Sequence, residues 1–143
     1  MKLLENWKGI DFDKIIELYN SVNWSNYTND PSSLKDAFNN STYVILAVVD
    51  NEVCGLARSI SDDVSIHYLQ DLLIKPKYQR RGIGRKLFDT VLERFSHVRT
   101  HMLLTDDEEK QIKFYQSLGY SNTRELGEVP LNAFVKMNGV SLE

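Results

Sequence analysis

The chain has 143 residues, a length that suits one domain whose core needs neither disulfides nor a metal to hold it together. Hydrophobic residues make up 42% and charged residues 26%, which excludes the low-hydrophobicity signature of a disordered chain. The net charge of -3 speaks against a nucleic-acid partner, which needs a strongly positive field over a broad surface. No segment reaches the roughly 18 apolar residues of a membrane span, and "MKLLENWKGIDF" lacks the apolar core of a secretory leader. The single cysteine, Cys54, lies in the apolar run "NEVCGLA" and reads as a small buried side chain. One cysteine permits no internal disulfide and no cysteine-based zinc site, so a soluble protein of the reducing cytoplasm without a metal is expected.

In "IDFDKIIELYNSV" Phe12, Ile15, Ile16 and Tyr19 share one helical face, and Asp11 is placed to cap the first turn. The following "NWSNYTNDPSSLKDAFNN" begins as a loop. It then offers Asp30 as N-cap and Pro31 as first helical residue, with Leu34, Ala37 and Phe38 on the buried side. From Thr42 the pattern changes: "TYVILAVVD", "EVCGLARSIS" and "VSIHYLQDLLIKP" are rich in β-branched and aromatic residues and are separated by "DN" and "DD". They predict three strands of an antiparallel meander. "RKLFDTVLERF" repeats Leu87, Val91, Leu92 and Phe95 at helical spacing, and "VRTHMLLT" predicts a strand, so strand, helix and strand form a right-handed crossover between parallel strands. A last helix is expected in "DEEKQIKFYQSL", with Ile112, Tyr115 and Leu118 inward and Gly119 at its end, and "YSNTREL" and "LNAFVKM" predict two final strands. The sum is one α/β (α+β) domain over residues 1–143 without internal repeats.

Between the meander and the crossover helix stands "KPKYQRRGIGRKLFDTV", with six basic side chains around two glycines. A glycine turn that opens a helix presents backbone N–H groups at the positive end of the helix dipole, an arrangement that binds phosphate. The dinucleotide fingerprint would need glycine at Leu87, and the phosphate loop of nucleotide hydrolases would need Gly-Lys-Ser/Thr; neither is present. What fits is Gln/Arg-x-x-Gly-x-Gly/Ala, here "QRRGIG" from Gln79 to Gly84, after a strand ending in "DLLIKPKY". On these residues, and on "FYQSLGY" in the last helix, the chain resembles the GNAT superfamily of N-acetyltransferases over nearly its whole length.

The resemblance implies a mixed central sheet of about six to seven strands, with an antiparallel N-terminal meander, a splayed parallel pair formed by the fourth and fifth strands, and about four helices. It implies acetyl-CoA as cosubstrate. The turn residues Gln79, Arg80, Arg81, Gly82, Ile83, Gly84 and Arg85 would hold its pyrophosphate, with Lys75, Lys77 or Lys86 as further candidates for its phosphates. The backbone of Leu72, Leu73 and Ile74 would pair with the pantetheine amides like an added strand, while the same side chains serve the core.

Transfer of the acetyl group needs a neutral amine and a proton for the departing thiolate. Tyr115 matches the tyrosine that many members place near the sulfur; its other reading is a packed aromatic. Candidates for the base on the central strand are His67, Tyr68 and Asp71, with Asp71 and His67 preferred: a carboxylate on this strand often takes the amine proton in the family, and strand alternation, or a bulge, decides whether His67 or Tyr68 faces the cleft. Many members begin the last helix with Asn-x-x-Ala-x-x-x-Tyr, and this chain departs from that pattern with Glu108 and Gln111. Trp24 and Tyr27 would wall the pocket of a small-molecule amine, or else staple their loop to the core. The competing function is a module that binds acetyl-CoA or CoA without turnover. The resemblance permits a homodimer through the terminal strands.

Overall fold

The computed structural model describes residues 1–143. The chain divides into two units, Met1–Leu104 and Thr105–Glu143. In the first, a short edge strand, β1 (Lys2–Leu4), precedes α1 (Phe12–Ser21), which starts where Asp11 Oδ1 accepts the Asp13 N–H at 3.1 Å. The stretch read as a loop contains one helical turn, α2 (Ser25–Thr28). It leads to α3 (Pro31–Asn39), where Asp30 Oδ1 accepts the Ser33 N–H at 3.2 Å and Pro31 occupies the first turn.

The meander follows as β2 (Tyr43–Val49), β3 (Glu52–Ser61) and β4 (Ile66–Ile74). Asp50 and Asn51 both take positive φ (49° and 64°), the geometry whose twist matches a two-residue hairpin. Then come α4 (Ile83–Arg94) and β5 (Thr100–Leu103). The sheet order is β1-β2-β3-β4-β5, all antiparallel except the last pair, which is parallel as a strand-helix-strand crossover requires.

Alternation along the strands distributes their side chains to two cores. Val44, Leu46, Val53, Leu56 and Leu73 pack with Ile15, Leu18, Tyr19, Leu34 and Phe38 of α1 and α3. Ile83, Leu87, Phe88 and Val91 of α4 are buried where that helix lies on β2, β3 and β4. Each large apolar side chain so enclosed contributes about 1.5–3 kcal/mol. Phe88 belongs to this face as well, although the helical spacing read from Leu87, Val91, Leu92 and Phe95 did not include it. β3 carries Gly55 because a Cβ there would stand 2.7 Å from Ile74 Cδ1 and 3.0 Å from the Leu73 carbonyl oxygen.

In the second unit α5 (Glu109–Ser117) has Ile112 and Tyr115 half-buried, and Gly119 follows at φ 94°. The two final strands do not form. Residues 120–126 hold a single 3₁₀ turn, Thr123–Glu125, and residues 131–137 lack strand structure, with Phe134 93% exposed. Alternation in "LNAFVKM" supplies propensity only; a strand also needs a neighbour to satisfy its backbone groups, and no ladder is offered to it. The sheet therefore has five strands in place of the six to seven expected.

Candidate functional site

β4 is the element that assembles the site. β5 pairs with Ile66–Leu69 and ends at Leu103, so Gln70–Ile74 continues past it with one edge bonded to β3 and the other without a strand neighbour. Leu72, Leu73 and Ile74, read as the pantetheine-pairing segment, lie on this overhang. Leu73 is in the α1/α3 core, whereas Leu72 and Ile74 are half-buried.

The register of β4 against β3 shifts so that Arg58 faces Asp71 while Ser59 faces Leu69. Gln70 is the extra residue of a β-bulge, and it reverses the alternation. Two odd-numbered residues of one strand, His67 and Asp71, consequently point to opposite faces of the sheet.

Asp71 faces α1 and is 1% exposed. Its Oδ2 accepts from Arg58 Nε at 2.7 Å and from the Tyr19 hydroxyl at 2.7 Å, while Oδ1 is buried with no partner. Burial, then the Asp71 charge, raises the Tyr19 hydroxyl well above its ordinary pKa, so Tyr19 stays a donor. Next to this group lie Trp24 and Tyr27 of the α2 region. Tyr27 sits 5.3 Å from the Tyr19 ring and stacks on Trp24 at 5.8 Å, and the bulged Gln70 donates to its hydroxyl at 3.1 Å. Trp24 remains 37% exposed, so the aromatic pair both packs on the core and offers a surface.

His67 faces α4, fully buried and stacked on Phe95 at 4.3 Å. Both ring nitrogens are engaged: Nε2 lies 2.8 Å from Ser59 Oγ and Nδ1 lies 3.0 Å from His101 Nδ1. Burial first, then the charge of His101, pulls its pKa down to about 4. The histidine is neutral at pH 7 and has no lone pair to spare for an amine.

The glycine turn follows β4. Arg80 (φ 64°) and Gly82 (φ 79°) are left-handed, and Gly82 immediately precedes α4. A left-handed residue there reverses the chain sharply and turns the first N–H groups of α4 outward, where no preceding carbonyl can reach them. Ile83 anchors the turn in the core, while Gln79, Arg80, Arg81 and Arg85 are exposed. A Cβ at Gly84 would make only ordinary contact with Ile74 at 3.7 Å, which is why the motif accepts alanine at this place. Gln79 has a structural duty besides: its Nε2 donates to the Ile74 carbonyl at 3.1 Å.

Two of the lysines offered to phosphate are otherwise occupied. Lys75 is 6% exposed and ion-paired with Glu52 at 2.8 Å, and Lys77 pairs with the same carboxylate at 3.0 Å. The positive charge left around the turn comes from the exposed Arg80, Arg81, Arg85 and Lys86, of which Arg85 also approaches Asp89 at 3.4 Å.

In the second unit Tyr115 is half-buried beside Phe114 (5.1 Å) and Tyr120 (6.1 Å), and burial pushes its hydroxyl up to about 12. At the helix start Gln111 Nε2 donates to Glu108 Oε2 at 3.4 Å, so the two residues that depart from the asparagine pattern meet each other.

Sequence reasoning missed Tyr19, Arg58, Ser59, His101 and Glu52. Only Arg58 left a trace, as a lone cation inside the apolar strand "VCGLARSI". His101 meets His67 through parallel register, which no local pattern encodes.

The family model described as "Acetyltransferase (GNAT) domain" matches residues 16–140. An acetyltransferase of the GNAT family from Streptococcus pneumoniae is 30% identical with a TM-score of 0.73, over 92% of this chain and 96% of that one. A candidate acetyltransferase of Gibberella zeae is 37% identical over 94 residues, 64% of this chain and 48% of that protein. The chain thus matches about half the length of that curated relative. A GNAT family acetyltransferase from Elizabethkingia anophelis with acetyl-CoA bound shares the fold at TM-score 0.53 and 21% identity, over 60% of this chain and 58% of that one. The family model spans residues 16–140, most of the chain, and the Streptococcus pneumoniae protein shares both sequence and fold, so the chain belongs to the GNAT acetyltransferase family.

Proposed function

We propose that this protein transfers the acetyl group of acetyl-CoA directly to the primary amine of a small molecule. The observation that carries the reading is the left-handed turn at Arg80 and Gly82, which opens α4 beside the unpaired edge of β4. Outward amides with nearby arginines suit a pyrophosphate, and an open strand edge suits the amides of a pantetheine arm. The fold neighbour solved with acetyl-CoA supports the choice of donor.

Asp71 is the better of the two base candidates. Its Oδ1 has a free lone pair, whereas both nitrogens of His67 are taken. Tyr115, protonated at every physiological pH, is the donor for the thiolate, as its place in the family motif implies. Trp24 and Tyr27 flank the acceptor. Residues 1–143 act as one acetyltransferase domain that needs no metal, in the cytoplasm, with no nucleic-acid or membrane partner. No helix is long and apolar enough to cross a membrane.

The first test is thermal unfolding with and without acetyl-CoA, with inorganic phosphate as control. At about a hundred times Kd the cosubstrate adds about 2.7 kcal/mol, a rise of several degrees. No cofactor-specific rise would sink the reading. The second is Tyr115→Phe, expected to lower kcat on the order of a hundredfold at unchanged acetyl-CoA affinity. An unchanged kcat would remove Tyr115 as the acid. The contact between Glu108 and Gln111 at the helix start favours one other outcome, binding of acetyl-CoA without turnover, and an amine panel with thiol-release detection distinguishes the two.

A further inference from the structure

We propose that Glu52 is a positioning residue that holds the phosphate-binding turn in shape for acetyl-CoA, a role that rests on the function proposed above. Glu52 opens β3, far from the turn in sequence, yet its carboxylate grips the whole segment between β4 and the turn. Oε1 lies 2.8 Å from Lys75 Nζ, and Oε2 lies 3.0 Å from Lys77 Nζ and accepts the Tyr78 hydroxyl at 3.3 Å.

Each of these contacts reaches the turn by a short path. The Lys75 N–H donates to the Cys54 carbonyl at 2.8 Å, and Tyr78 and Gln79 close onto the carbonyls of Lys75 and Pro76 at 2.9 and 3.2 Å. The Tyr78 ring, fixed through its hydroxyl, carries the Arg81 guanidinium at 5.3 Å. A carboxylate close to an anion site would repel phosphate unless its charge were neutralised. Lys75 and Lys77 neutralise it, leaving Glu52 as a three-way anchor and the phosphate field to Arg80, Arg81, Arg85 and Lys86. The only other carboxylate near Lys75 is the exposed Glu17, at 3.8 Å.

Positioning matters because amides aimed at a bound phosphate lose affinity when their carrier is free to move. Two consequences of losing Glu52 must be separated: a buried ammonium left without its counterion, and a turn left without its anchor. Acetyl-CoA binding and steady-state kinetics are measured for wild type, Glu52→Gln, and Glu52→Gln with Lys75→Met, which replaces the buried cation by an apolar chain of similar length.

Glu52→Gln is expected to raise Kd and KM for acetyl-CoA on the order of tenfold, with kcat at saturation and the KM for amine within about twofold. The double variant is expected to regain thermal stability while its acetyl-CoA KM stays raised. Unchanged acetyl-CoA affinity in Glu52→Gln overturns the proposal. So does a double variant in which stability and affinity recover together, because Glu52 would then serve only to neutralise Lys75. If Glu52→Gln does not fold, the double variant alone decides, by a raised or a normal KM. Failure of the wild type itself to bind acetyl-CoA overturns the parent reading and this role with it.

Discussion

Arg58→Leu is expected to cost about 3–5 kcal/mol of stability and to lower Tm by on the order of 10 °C or more. Arg58 is 5% exposed and Asp71 1% exposed, and the 2.7 Å bond between them is the main compensation for a carboxylate buried under α1. Leucine would leave that carboxylate with the Tyr19 hydroxyl alone. It would also remove the bond from Arg58 Nη1 to Ser41 Oγ at 3.2 Å and the guanidinium resting over the Phe38 ring at 5.7 Å. The cost is that of stranding a charge, which exceeds the net worth of the pair, so Arg58→Leu combined with Asp71→Leu should recover most of the loss. Urea unfolding of the wild type, both single variants and the double variant checks this. A single variant within 1 kcal/mol of wild type would show that Asp71 does not depend on Arg58.

Acidification is expected to remove about 2 kcal/mol of stability by pH 5 and about 3 kcal/mol by pH 4 through His67 alone. The sign follows from the shift. In the folded protein His67 takes up its proton only near pH 4, against 6.5 ordinarily, so below pH 6.5 the unfolded chain binds a proton that the folded one does not. Stability present above pH 6.5 is lost as pH falls, until the folded state also protonates near pH 4.

Burial is the first reason the folded state refuses the proton, and the facing ring of His101 adds to it. His101 Nε2 donates to the Val98 carbonyl at 3.1 Å, which leaves its Nδ1 to accept from His67 Nδ1 and leaves His67 Nε2 to accept from the Ser59 hydroxyl. Protonating both rings would set two N–H groups against each other at 3.0 Å. Urea midpoints between pH 7 and pH 5, above most carboxylate titration, report this group. His67→Leu should flatten the curve there, and a wild-type curve already flat would overturn the assignment.

Much of the fold could be read from short-range signals. Asp11 and Asp30 cap helices because a side chain two or three residues ahead of a free N–H is always within its reach, whatever the rest of the chain does. The Asp50-Asn51 hairpin and the left-handed Gly82 are equally local, since backbone sterics alone select residues that tolerate positive φ. The glycine turn, and with it the family, was therefore legible in "QRRGIG".

What lay beyond reach was set by partners distant in sequence. The Gln70 bulge exists only in the pairing of β3 with β4, and it alone sends His67 and Asp71 to opposite faces. Asp71 is joined to Tyr19, 52 positions away, and His67 to His101, 34 away, so their charge states and free lone pairs could not be deduced from their neighbours in the chain. The "LNAFVKM" segment shows the same limit from the other side: its alternation is that of a strand, but the ladder that makes a strand belongs to two segments. By itself the sequence determined where most helices and turns begin, which face of each is apolar, and the glycine turn that opens α4, because those depend on residues within about four positions. The tertiary structure decided which carboxylate keeps an unpartnered, buried oxygen, which lysines are spent on Glu52 and how many strands the sheet holds, because each is a question of what a side chain or a backbone edge meets across space.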